Sequence, residues 1–251
     1  MCTLSIFNNK DEIIVTMNRD EHRQREEENR LILNHKNSSK IKIVYPVDKL
    51  AGGSWFGGNE HGVVLALLNR YQDSVSENKA TRGEIIPLLL GCEDITHILS
   101  QLDTLNTRRY NPFDLIIVTS NSSYCFSWNG ESTQLTALDL EKPYFISSSS
   151  VDREAVLSWR QRFFSRLIKE KYPDKISAVQ ILKNIHLQQL KTDKSKSIFM
   201  SRDHSHTKSI CQARISRTDL NFIYYPQKSL KKLRQSEIID DFQTIILKMT
   251  P

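Results

Sequence analysis

A chain of 251 residues and 29.1 kDa, 39% hydrophobic and carrying a formal charge of +6, has room for one large domain or two small ones. Its 35 basic residues are interleaved with 29 acidic ones, and the largest basic cluster (Lys228, Lys231, Lys232 and Arg234) falls in a polar connector, so the charge reads as a solvated surface and no nucleic acid is expected as partner. No apolar run approaches the roughly 20 residues of a membrane helix. Cys2, Cys92, Cys125 and Cys211 lack C-x-x-C spacing and a secretory leader, which favours reduced thiols and a cytoplasmic protein.

The chain opens Met1-Cys2-Thr3. Cys2 is small, so ordinary removal of an initiator methionine is expected to leave it first. A terminal cysteine joins a thiol of pKa about 8.5 to an α-amine of about 7.7–8.0, a nucleophile and a base within one residue. Residues 2–8 alternate, residues 12–19 are rich in Ile, Val and Thr, and Asn8-Asn9-Lys10-Asp11 between them signals a turn. Pairing across that turn sets Cys2 opposite Met17 or Asn18, and a one-residue slip sets it opposite Arg19. Either way Asn18-Arg19-Asp20-Glu21 arrives beside the first residue.

A second hairpin runs from the glycine-rich residues 51–58, through the turn Asn59-Glu60-His61-Gly62, into the apolar strand 63–68. It returns Asn69 to the neighbourhood of Gly52 and Gly53. Helices are expected over 82–90, with Pro87 near the first turn, and over 94–102. Residues 113–119, 123–128 and 133–138 form a meander with Asn129-Gly130 at its second turn. Asp152 caps a helix bearing Val156, Trp159, Phe163 and Leu167, and Ile176, Val179, Leu182 and Ile185 repeat that face. Strands are expected at 197–200, 209–216 and 220–225, then an amphipathic helix through Ile238, Ile239, Phe242, Ile245 and Met249. Helices in two clusters between batches of hairpin strands indicate a single α+β domain, residues 1–251, with antiparallel sheets.

The segment Gly52–Gly58 lacks the Gly-Lys-Ser/Thr of a phosphate loop. Asp203-His204-Ser205-His206, near Cys211, reads as a solvent-facing loop, and no metal is expected. Cys92 and Cys125 read as core residues.

The opening Met-Cys-Thr, the tetrapeptide Asn18-Arg19-Asp20-Glu21, the run from Gly52 to Arg70 and Arg82-Gly83 together resemble the NRDE (transport and Golgi organisation protein 2-like) family. That resemblance implies an N-terminal-nucleophile hydrolase-like αββα sandwich, two antiparallel sheets flanked by helices. It implies Cys2 as nucleophile, its α-amine as base, Arg19 and Asp20 as the charged pair beside it, and Asn69 as an oxyanion donor. Asn18, Gly53, Ser148 and Lys208 are the implied substrate-binding residues; Ser148 stands where relatives carry asparagine, and Lys208 where many carry arginine. The implied activity is hydrolysis or acyl transfer on a small amide or thioester without a cofactor. The other implied role is a non-catalytic haem, acyl-CoA or acyl-lipid carrier.

Overall fold

Alternating side chains in the first 22 residues build the hairpin on which the molecule is organised. The computed structural model describes residues 1–9, 11–35, 41–171, 176–235, 237 and 241–249. Strand β1 (Cys2–Asn9) pairs antiparallel with β2 (Glu12–His22), Asn9 facing Glu12 and Cys2 facing Arg19. The ladder thus takes the register of the one-residue slip, and Cys2 meets Arg19 rather than Met17 or Asn18.

Two antiparallel sheets follow. The strands β3 (Glu27–His35), β4 (Lys42–Asp48), β5 (Phe56–Asn59), β6 (Val64–Asn69), β7 (Phe113–Val118), β8 (Ser123–Trp128) and β9 (Thr133–Ala137) form one seven-stranded sheet in chain order. The second sheet has six strands, ordered β10-β1-β2-β11-β12-β13, with β10 at Tyr144–Ser147, β11 at Ser205–Ile215, β12 at Asp219–Tyr225 and β13 at Gln243–Lys248.

Strand β6 explains the layering. Its side chains point alternately to opposite faces. Val64, Ala66 and Leu68 pack with Leu4, Met17 and Phe222 of the other sheet. Leu65 and Leu67 join Ile85 and Leu89 of α1 (Ile85–Leu89) and Ile98 of α2 (Ile95–Thr104). Outside the six-stranded sheet, Phe7 and Ile14 pack under Phe164 of α3 (Arg153–Lys171) and Ile181 of α4 (Ala178–Ile181), which runs into a π-helical turn, Leu182–His186. Helix, sheet, sheet and helix form four layers, the α+β sandwich expected.

Several elements differ from the sequence reading. Residues 243–248 are strand rather than helix: Ile245 and Leu247 pack against the inter-sheet core while Ile246 stays 56% exposed, a period of two imposed by the free edge of β12. Ile238 and Ile239 lie outside the described residues. Residues 197–199 form a bend that leads into Met200, not a strand. The basic cluster sits on a helix, α5 (Gln227–Arg234), where Leu230 and Leu233 pack inward and the lysines face out. Strands β3, β4 and β10 were not expected, being charged, proline-bearing or only four residues long.

Candidate active site at the start of the first strand

Where β1 and β2 end together, a cleft of about 270 Å³ opens between the sheets, lined by Cys2, Arg19, Asp20, Gly53 and Asn69. Met1, Trp55 and Arg82 also line it, with Glu21, Arg25 and Asp48. Cys2, Arg19 and Asn69 therefore share one cavity, which Asp20 borders with its side chain fully buried.

Cys2 is fixed by its backbone. Its N–H donates to Ser148 Oγ at 3.0 Å, and the Ser148 N–H donates to the Cys2 carbonyl at 2.9 Å. Ser148 thus holds the nitrogen of Cys2. Burial pushes the Cys2 thiol up, against the downward pull of the chain-terminal ammonium and of Arg19.

Met1 continues the ladder one step. Its carbonyl accepts from the Asp20 N–H at 2.7 Å, while its amine donates to the Asp20 carbonyl at 2.8 Å and to Tyr71 Oη at 3.3 Å. Its Sδ accepts from Arg202 Nη1 at 3.0 Å. Burial pulls the Met1 amine down, but the neighbouring Tyr71, Cys2, Asp20 and Glu21 outweigh it and the net shift is upward.

Alternation along β2 separates the tetrapeptide. Arg19 and Glu21 share one face: Arg19 Nη2 lies 2.8 Å from Asp48 Oδ2 and 3.5 Å from Glu21 Oε2, and its guanidinium stacks 4.2 Å above the Trp55 ring. Arg25 grips the same Asp48 oxygen at 2.7 Å. Burial raises the Asp48 carboxyl, yet the two arginines hold it below the usual carboxylate range.

Asp20 turns the other way and is fully buried. Thr207 Oγ1 donates to its Oδ1 at 2.6 Å, and Arg160 Nη2 stands 3.7 Å from Oδ2, an oxygen with no hydrogen-bond donor among the described residues. Burial pushes this carboxyl up, against Arg160. Arg160, from α3, also donates to Thr3 Oγ1, Ser147 Oγ and the Ser197 carbonyl. Sequence reasoning missed Arg160; the signal available was an arginine four residues after Val156 and four before Phe164, on the face that α3 buries.

Asn18 is outside the cleft. Its Nδ2 donates to the carbonyls of His186 and Ile198, so its Oδ1 must accept from His186 Nδ1 at 2.7 Å. His186 Nε2 then accepts from Ser5 Oγ at 2.7 Å. Burial lowers this neutral imidazole to about 3. Asn18 therefore ties the π-turn to the sheet instead of meeting a substrate.

Lys208 also lies away from the cleft. It is the extra residue of a bulge between Thr207 and Ser209, and its Nζ donates to the Arg23 carbonyl at 2.9 Å. Gly53 does line the wall, for a steric reason: a Cβ there would sit 2.4 Å from the backbone carbon of Gly83. The Ser54 N–H donates to the Gly83 carbonyl at 2.9 Å, so two bare backbones meet. Asn69, ending β6, donates from Nδ2 to Tyr71 Oη at 3.0 Å. Of the expected solvent loop, Ser205 and His206 instead open β11 on the free end of β2; His204 stacks on His22 and His206 contacts Arg23.

Residues 1–237 match the family described as transport and Golgi organisation 2. The chain belongs to that family. A search of curated proteins finds no match. Among solved structures, an N-acylethanolamine-hydrolyzing acid amidase orthologue from Caenorhabditis elegans superposes with a TM-score of 0.58 at 14% identity, over 84% of this chain and 92% of that one. A variant of the conjugated bile acid hydrolase from Clostridium perfringens gives 0.57 at 11% identity, covering 100% and 97%. Penicillin V acylase from Agrobacterium tumefaciens gives 0.53 at 9%, covering 88% and 82%. These likenesses establish the N-terminal-nucleophile hydrolase fold.

Proposed function

We propose that this family member is an N-terminal-cysteine amidohydrolase or acyl-transfer enzyme acting on a small amide or thioester. The observation that carries this reading is the hold on Cys2: its nitrogen on Ser148 Oγ and its partner Arg19 lining the same cleft as Asn69.

Removing Met1 converts the Cys2 nitrogen into a free amine and vacates the N–H and carbonyl of Asp20. The amine, steadied by Ser148, takes the thiol proton, and Arg19 favours the resulting thiolate. The sulfur attacks the substrate carbonyl while Asn69 Nδ2 donates to the developing oxyanion. The ammonium then returns its proton to the leaving amine or thiol. Water, deprotonated by the same amine, releases the acyl group. Arg160 and Thr207 keep Asp20, and with it the end of β2, in register with Cys2.

Intact mass spectrometry of protein from cells is expected to find Met1 absent. An electrophilic amide probe is then expected to label Cys2 ahead of Cys92, Cys125 and Cys211, with Asn69→Ala slowing turnover about 100–1,000-fold. Retention of Met1 in cells, or equal labelling of all four thiols, would sink the proposal.

A further inference from the structure

We propose that Arg82 is the specificity residue of this cleft, binding a carboxylate or phosphate that the substrate carries beside the bond Cys2 attacks; its chemistry rests on the Cys2 reading.

The charges lining the cavity do not cancel evenly. Arg19 and Arg25 are both committed to Asp48 and Glu21. Asp20 faces Arg160 beneath the sheet. Lys79, exposed, donates to the Arg108 carbonyl and stands at the rim. That leaves Arg82. Its Nη1 donates to the Pro112 carbonyl at 2.9 Å, and no carboxylate among the described residues pairs with it.

An arginine half withdrawn from water without a directly paired carboxylate loses hydration that its one carbonyl contact only partly replaces. Burial indeed pulls Arg82 downward. An incoming anion would restore the missing partner, and a planar guanidinium matches carboxylate or phosphate oxygens with two parallel hydrogen bonds. The backbone that carries Arg82 is fixed, because Thr81 Oγ1 accepts from the Gly83 N–H at 3.3 Å and so caps the turn that begins at Arg82. A second donor in the same wall, the indole N–H of Trp55, has no hydrogen-bond partner among the described residues. A neutral ligand would leave the cation uncompensated.

The test is alkylation of Met1-free protein with iodoacetate and with iodoacetamide, of nearly equal size and differing in charge. In both, the Cys2 sulfur bonds to the methylene and iodide leaves, and peptide mass spectrometry reads the rate at Cys2. The folded protein is expected to favour iodoacetate at least tenfold more than the urea-unfolded chain does. Arg82→Gln should abolish that preference and Arg82→Lys retain part of it, while Lys191→Gln, remote from the cleft, leaves it unchanged. The wild-type ratio alone requires no variant to fold. If Cys2 reacts with both reagents and shows no such preference, the anion subsite is overturned and the nucleophile reading stands. If neither reagent reaches Cys2, the nucleophile reading falls and calorimetric titration decides the subsite. Hexanoate or hexyl phosphate binding at least tenfold tighter than hexanamide, lost in Arg82→Gln, upholds it, and the tighter of the two names the group. No anion preference in wild type overturns it.

Discussion

Acidification from pH 7 to pH 5 tests the buried imidazole of His186. Burial lowers it from 6.5 to about 3 in the folded protein. Because the folded value lies below the unfolded one, the unfolded chain takes up the proton first. The associated stability is complete above about pH 6.5 and is lost as pH falls toward about 3. Integrating over that window, the loss between pH 7 and 5 is about 2 kcal/mol, equivalent to roughly 4–8 °C in Tm for a chain of this size. Asp20, raised on folding, acts in the opposite sense, so the informative quantity is a difference between proteins. His186→Gln offers a donor and an acceptor to Asn18 and Ser5 but cannot titrate. Urea unfolding at pH 7, 6 and 5 is expected to show wild type losing about 2 kcal/mol more than the variant over the range. Parallel losses in the two proteins would mean His186 is not held neutral by the fold.

Arg160→Leu strands the Asp20 charge and is expected to cost about 3–5 kcal/mol by chemical denaturation, with Asp20→Asn recovering part of it in the double variant. A cost below about 1 kcal/mol would refute the coupling. Gly53→Ala drives a methyl into the Gly83 backbone and is expected to destabilise by about 1–3 kcal/mol in urea while slowing Cys2 alkylation; an unchanged midpoint would contradict the close approach. Asn59→Ala removes hydrogen bonds to the Leu90 and Cys92 carbonyls and from the His61 and Val63 N–H groups, a loss of about 2–4 kcal/mol measurable by denaturant midpoint.

The N-terminal hairpin was legible because a period of two over Cys2–Asn9 and Glu12–His22 is a local property. Its register was less so: shifting the turn by one residue exchanges Asn18 for Arg19 opposite Cys2. Once Arg19 faces the cleft, strand alternation carries Asn18 to the other face, a consequence a tetrapeptide read as one motif conceals. The final strand illustrates a different limit. Phe242, Ile245 and Met249 fit a helical stripe, and only the open edge of β12 selects the extended form. Arg160 and His186 were invisible for a third reason. Their partners Asp20, Asn18 and Ser5 lie well over a hundred residues away, so only the folded sheet reveals what each one satisfies.

Met1 gives the proposed chemistry a clock. An aminopeptidase must draw a loose chain end into its own groove, and here that end is laced to Asp20, Tyr71 and Arg202. A two-stranded hairpin alone is only marginally stable in water, so the end stays loose until its later neighbours arrive. Ser148, which closes over Cys2, is translated 146 residues downstream. At about 5–20 residues per second the ribosome needs roughly 7–30 s to deliver it. On the proposed reading, trimming belongs to the nascent polypeptide, and slower synthesis would widen the interval open to it.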